Sequence, residues 1–411
     1  MLRSTISWLD FSESERRKTI EVIALFQDRE TRDELGVGSI RDGFANDFFP
    51  GTTTLQTRAR YFLLIPWIYR TYEKKFVGSE KIQDRLRWDE TNLIEILKKA
   101  DENGVIGQRS GVGLQRFPSS IYWIGMQEWG ICRFPGTQDQ YHRSLNHWHE
   151  YQKHRAQTEE DQLNQESGLN WDPNLPKPPD GFLPVANLSL TLEEAEYLRE
   201  CLRLNCTDSL LSYLAENTQP VDDSVQFPWL HHQISEFPTI LQEKLAHAQN
   251  FSEAIFGAAL LYNYLLANKI KNASLTEQYH QDLVEWQKQL TIRMAYWKRW
   301  DQSAFWRLAK SIGNVPPGTE RFVNQWLSLL FEDGKIAKPE NKQSMHALIE
   351  ERERRLKGSR SRFASQRHLE IWNGAASAGQ IEYRWRVARR ILNDVLTGLN
   401  KNGGPKNAGT R

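Results

Sequence analysis

DELGVGSIRDGFANDFFPGTTTLQTRARYFLLIPWIYR, residues 33–70, decides how this chain is read. In its first half, Gly36 and Gly38 flank Val37, a spacing that suits a tight turn with positive φ. Ser39 then caps a short helix running through Arg41 to Asn46. Pro50-Gly51 ends that helix. Thr52, Thr53 or Thr54 caps a second helix, LQTRARYFLLIPWIYRTYEKK, which Pro66 kinks or restarts. Helix, glycine turn and helix in succession predict a mainly α fold.

The same pattern extends outward. SESERRKTIEVIALF reads as an earlier helix, capped by Ser12 or Ser14, with Ile20, Ile23 and Ala24 as its core stripe. KIQDRLRWDETNLIEILKKA repeats Leu and Ile at helical spacing. A second GVG turn at 111–113 precedes a helix holding Tyr122 and Trp123, capped by Ser119 or Ser120. Thr191 and Glu194 stand at capping-box spacing. Further helices are predicted near 203–216, 236–246, 251–268, 275–309, 318–331, 342–356 and 379–398. LPVANLSL at 183–190 is the nearest approach to a strand. The expected architecture is multi-helical and helix–hairpin–helix-like, with few short strands. Its expected parts are a helical domain over 1–154, a polar, proline-rich linker or lid over 155–187 and a second helical domain over 188–350. A basic helical module over 351–398 and a disordered tail over 399–411 complete the chain.

The 411 residues carry 53 Lys and Arg against 52 Asp and Glu, so the chain as a whole is no polycation. The charge is uneven, however. Residues 351–390 hold eleven basic and four acidic side chains, a net of +7, while the first 350 residues carry −8. A basic module on an acidic body docks a polyanion locally. Fifteen tryptophans and 39% apolar residues supply a large core. Cys132, Cys201 and Cys206 include no CxxC pair and fit a reducing cytoplasm. The N-terminal MLRSTISWLDFSESERRK lacks the apolar run of a signal peptide, and FGAALLYNYLLA at 256–267 is too short to span a bilayer. A cytoplasmic protein with no membrane partner is expected.

The candidate chemistry is that of DNA. Backbone amides at Gly36, Gly38, Gly111 and Gly113 are candidates to meet phosphates. The competing reading of both turns is an ordinary helix–helix connection. Arg58, Arg60 and Arg116 add charge nearby. Tyr122 and Trp123 are candidates to stack an extruded base, with core packing as the alternative. Asp42 and Asp47 are the candidate catalytic carboxylates, and Asp10 and Asp89 fit the same role. A capping or solvent-facing aspartate is the plainer account of each. Arg360, Arg362, Arg384 and Arg386 alternate with Phe363, Tyr383 and Trp385 in the C-terminal module, a pattern that suits phosphate and base contact or a solvated helical face. His147, Glu150 and His154 share one helical face, but no HExxH occurs and no metal site is expected. Neither GVG turn fits GxxxxGK or GxGxxG, and no cofactor is expected.

ELGVGSIRDGFANDFFPGTTTLQTRARYF, GVGLQRFPSSIYWIGMQEWGI, GSRSRF and YRWRVARRILNDV together resemble a bacterial family catalogued as domain of unknown function 6361. The resemblance covers most of the chain. It implies a place in anti-phage defence. It also implies kinship with DNA glycosylases that remove modified cytosines, such as glucosylated hydroxymethylcytosine, from phage DNA. It assigns no aspartate. The expected function is therefore excision of a modified cytosine from double-stranded phage DNA, leaving an abasic site. The alternatives are a non-enzymatic component that binds DNA or defence-system partner proteins, and a metal-dependent nuclease.

Overall fold

The computed structural model describes residues 33–108, 114–155, 169–332, 335–377 and 379–401, with the side chains of 154 and 155 excepted. Among these residues there are fifteen α-helices and no strand. The one β-type contact among them is an isolated antiparallel bridge between Cys132 and Trp171. The fold is mainly α. The helix expected near residues 12–26, the GVG turn at 111–113 and most of the tail lie outside the described residues.

The chain forms two compact units. One comprises Met1–Gly43 and Glu243–Ile381, the other Phe44–Gln242 and Glu382–Arg411. Residues on both sides of the proline-rich 155–187 segment thus belong to one unit, and the basic 351–398 stretch divides between the two.

The chain passes into the Phe44–Gln242 unit along α1 (Gly38–Phe48). The N-terminus of α1 is capped by Asp33 rather than Ser39: its carboxylate accepts from the Val37 and Gly38 amides, both at 2.7 Å. Gly36, at φ +65°, makes the turn that this requires. After Pro50-Gly51 the chain stays non-helical for nine residues, so none of Thr52–Thr54 caps a helix. Thr52 instead donates to the Phe49 carbonyl, and Gln56 accepts from the Thr53 amide and donates to the Gly51 carbonyl. α2 (Tyr61–Lys74) then runs through Pro66 without a break, burying ten residues from Tyr61 to Tyr72.

Around α2 stand α3 (Ile82–Lys99), α4 (Pro118–Glu128) and α5 (Gln138–Arg155). Neither Ser119 nor Ser120 caps α4, which starts with Pro118 in its first turn. α6 (Leu192–Asn205) opens with the predicted capping box of Thr191 and Glu194. α7 (Leu210–Asn217) follows, and the last helix of the chain packs on both α6 and α7. In the segment 183–190, Ala186, Leu188 and Leu190 are buried in alternation, the pattern read as a strand. No strand forms there. Side chains satisfy its backbone instead: Glu102 accepts from the Leu188 amide, and Arg58 donates to the Leu188 carbonyl.

The other unit is built on the 31-residue α8 (Thr239–Lys269), where two separate helices were expected. α9 (Ala273–Ile292), α10 (Met294–Arg299) and α11 (Gln302–Ile312) replace one expected helix; Asp301 caps the last of them by accepting from the Ala304 amide. α12 (Pro317–Leu330), α13 (Gln343–Lys357) and α14 (Gln366–Glu370) complete it. Trp286 and Trp326 donate to the Glu253 and Ala254 carbonyls. A buried charge cluster joins Glu34 and Glu353 to Lys357, Arg362, Tyr262 and Ser361. α15 (Trp385–Asn400) returns the chain to the Phe44–Gln242 unit.

Candidate functional site

A pocket of about 600 Å³ opens between α2 and α3. Two helical stripes line it. Ile68, Thr71, Tyr72 and Lys75 follow the i, i+3, i+4, i+7 spacing along α2 and its C-cap. Lys81, Arg85, Trp88 and Asp89 repeat a similar spacing along α3 from its N-cap. The α2–α3 connection adds Phe76, Val77, Gly78 and Glu80, and Phe182 and Leu183 close one side. Its volume lies within the range of small-molecule sites.

Asp89 is buried in the pocket wall, where its Oδ2 accepts the Tyr72 hydroxyl at 2.5 Å. Burial, and then that carboxylate, push the Tyr72 hydroxyl well above its ordinary pKa, so it stays a protonated donor. Lys75 Nζ lies 5.9 Å from the Tyr72 ring centroid. Lys75, Lys81 and Arg85 are exposed. Trp88 is 66% exposed and Phe76 51% exposed, a large apolar area to leave in water. The pocket thus sets two open aromatic rings and three cations beside one buried carboxylate, with Glu80 as a second acid. That arrangement suits a planar, anion-bearing ligand such as a nucleotide.

The connection carrying Phe76 is pinned. The Phe76 and Val77 amides bond back to the Glu73 and Tyr72 carbonyls at 3.1 Å, which closes α2 in a Schellman motif. The Ser79 amide donates to Asn146 Oδ1, and Asn146 Nδ2 donates to Ser79 Oγ. Glu90, one residue past Asp89, belongs to the core instead. It accepts from the Ser119 amide at 2.8 Å and the Ser119 hydroxyl at 2.7 Å. Burial pushes its carboxyl up to about 7, against the pull of Ser119. Gln138 Nε2 continues this network by donating to Ser119 Oγ and to the Tyr69 hydroxyl.

The residues singled out from the sequence stand elsewhere. Asp42 is half-buried and paired with Arg41 at 3.0 Å, and Asp47 is half-buried on α1; neither lines the pocket. Tyr122 is fully buried. Its hydroxyl accepts from the Thr57 and Arg58 amides and donates to the Arg58 carbonyl. Trp123 is buried against Tyr69, Tyr141 and Trp171, with Nε1 donating to the Gly136 carbonyl. Both rings are therefore core residues in this structure and present no open face for a base.

The amides at the first glycine turn are taken by Asp33, and the Gly36 carbonyl accepts from Arg352 and Thr319. The amides are the groups that a phosphate would need at this turn. Gly111 and Gly113 lie outside the described residues.

Arg58 is bound to Asp394 at 2.9 Å and to the Asn103 carbonyl at 2.8 Å. Arg60 is buried against Glu194 at 2.6 Å and bonds to Asn187. Arg362 pairs with Glu34 at 2.7 Å, and Arg384 donates to Asn46 and the Thr52 carbonyl. Arg116 is half-buried. Arg360 is exposed, and the Arg386 side chain is 73% exposed, with Glu382 3.9 Å away. Of the seven predicted arginine contacts, Arg58, Arg60 and Arg362 thus serve internal ion pairs.

The pocket residues were missed apart from Asp89, although the Lys81–Arg85–Trp88–Asp89 stripe lay open in KIQDRLRWDE. An exposed tryptophan beside two cations on one helical face was the available signal. Among the described residues, no group of three or more His, Cys, Asp or Glu side chains could hold a metal ion. No helix among them is long and apolar enough to cross a membrane.

Comparison with known proteins adds the family alone. No curated protein and no solved structure matches the chain. The profile of a family of unknown function, DUF6361, matches residues 3–398, and the chain therefore belongs to that family.

Proposed function

We propose that the chain is a base-processing enzyme of DNA, an N-glycosidic hydrolase, and that the α2–α3 pocket receives the target nucleotide. The observation that carries this reading is the buried Asp89 carboxylate in a pocket rimmed by Trp88 and flanked by Lys75, Lys81 and Arg85. Cleaving a glycosidic bond builds positive charge on the sugar as the base leaves, and a carboxylate held in a low-dielectric wall stabilises that charge. Water adds at the anomeric carbon while the carbon–nitrogen bond breaks. The bonding pair leaves with the base, the base takes up a proton, and the sugar remains as an abasic site. Tyr72 holds the carboxylate in place, and the three cations receive the flanking phosphates. The resemblance to phage-restricting glycosylases supports a modified cytosine in phage DNA as the substrate and anti-phage defence as the setting.

The test is incubation of the purified protein with phage DNA carrying hydroxymethylated or glucosylated cytosine, followed by detection of alkali-labile strand breaks. Breaks are expected with the wild type. Asp89→Asn, which keeps an acceptor for Tyr72, should lose them roughly 100-fold or more. Intact DNA from folded wild-type protein across all modification types sinks the enzyme reading.

A second reading, a non-enzymatic DNA- or partner-binding component, draws on the exposed Arg360 and Arg386 outside the pocket. It expects DNA retention without base release.

A further inference from the structure

We infer that Phe76 is the stacking platform of the α2–α3 pocket and that the site takes an unpaired base, from single-stranded or locally opened DNA. This rests on the pocket reading above and deepens it.

The backbone carries the first observation. Phe76 has φ +52° and occupies the left-handed position of the motif that closes α2. Glycine is the residue that this geometry favours, because an L side chain there crowds its own backbone. Asp101 and Lys271 occupy the same position after α3 and α8, so the chain tolerates side chains there. Those two are polar surface residues. Phe76 is an apolar ring, and it lines a pocket.

The ring's surroundings carry the second. One side of Phe76 is supported: its centroid lies 5.2 Å from that of His149, and Lys153 Nζ lies 5.6 Å from it. His149 is buried, and burial, with Lys153 beside it, lowers its pKa, so the imidazole against the ring is neutral near pH 7. Half of the ring remains in solvent at the pocket rim. The Ser79–Asn146 clip fixes the connection that bears it. A ring held in place, open on one side, loses little freedom when a base stacks on it.

The third observation is charge. Lys75, next to Phe76, and Lys81 and Arg85 across the connection line the same pocket, against the acids Glu80 and Asp89. An apolar peptide has no use for three cations at the mouth. A nucleotide uses both: its base meets the ring and its phosphates meet the cations. A paired base presents only its edge, so the stacking face is available only once the base is unpaired.

The experiment uses the full chain and short oligonucleotides in which one position is paired, unpaired, or abasic. Wild type should bind the unpaired form more tightly than the paired one. Phe76→Gly and Phe76→Asn, both suited to the left-handed backbone, should keep the wild-type Tm or raise it. Both should weaken binding to the unpaired form roughly tenfold. Phe76→Trp should restore it, and the abasic oligonucleotide should bind wild type and variants alike. If wild type binds DNA and the glycine and asparagine variants bind equally well, or lose affinity equally on the abasic strand, the inference falls and the pocket reading stands. If folded wild type binds neither single- nor double-stranded DNA, the pocket reading falls with it.

Discussion

Asp89 and Glu90 are adjacent on α3 and serve different surroundings. Asp89 faces the pocket, with Tyr72 on its Oδ2, while Glu90 sits in the core with Ser119 on both oxygens. The Glu90 carboxyl lies at about 7, above its ordinary 4.5, because burial penalises its charge. In the native state it therefore binds its proton more tightly than in the unfolded chain. Below about pH 4.5 both states hold the proton, and the contribution to stability is complete. As pH rises through 7 the unfolded chain has already released it, and that contribution is lost. The shift corresponds to about 3 kcal/mol. Glu73 and Asp394, both raised mainly by burial, act in the same direction. Glu90→Gln should thus narrow the fall in urea midpoint between pH 5 and pH 8. An unchanged pH profile would remove Glu90 from the account.

At the scale of elements, the opening stretch shows what the sequence made legible. Its helices were readable because burial follows helical spacing, and the Thr191–Glu194 box was readable because both capping partners lie within one turn. What lay between elements was not. Gly51, at φ +73°, belongs to a turn pressed against α4, where Trp129 Nε1 donates to the Pro50 carbonyl. That contact joins residues 79 positions apart and leaves no periodic trace. A Cβ on Gly125 would stand 2.4 Å from the Gly51 carbonyl oxygen and 2.9 Å from Phe62 Cε1. Gly125→Ala should cost roughly 1–3 kcal/mol, read as a lower urea midpoint with an unchanged slope. The candidate site was obscured for the same reason. Arg58, Arg60 and Arg362 read as open cations, and only the fold brings Asp394, Glu194 and Glu34 to them. Tyr122 and Trp123 read as stackers because local sequence does not record which aromatic ring is enclosed. Trp88, by contrast, follows from α3's own stripe: the helix buries Leu86, Leu93 and Leu97, and at about 100° per residue Trp88 falls on the face opposite them.

For the whole molecule, the charge split in the sequence is a weaker guide than the pairing in space. The C-terminal surplus is partly spent on Glu34 and Asp223. If the three pocket cations carry the DNA contact, log K for a single strand should fall with log salt at a slope of about −2. A markedly steeper slope, cut back by charge reversal at Arg360 and Arg386, would move the footprint to the C-terminal module and favour the non-enzymatic reading.

The division into two units, each assembled from separate stretches of chain, has a consequence for synthesis. Arg58 and the Ala59 amide bind Asp394, a residue more than 330 positions later, and α6 and α7 wait for α15. At ribosomal speeds of about 5–20 residues per second, that partner emerges roughly 20–70 s after Arg58. Through roughly the second half of that interval the apolar faces of α6 and α7 are already outside the ribosome, while the Phe44–Gln242 unit lacks its closing helix. A chain cut short before α15 lacks the helix that packs on α6 and α7 and so cannot complete this unit.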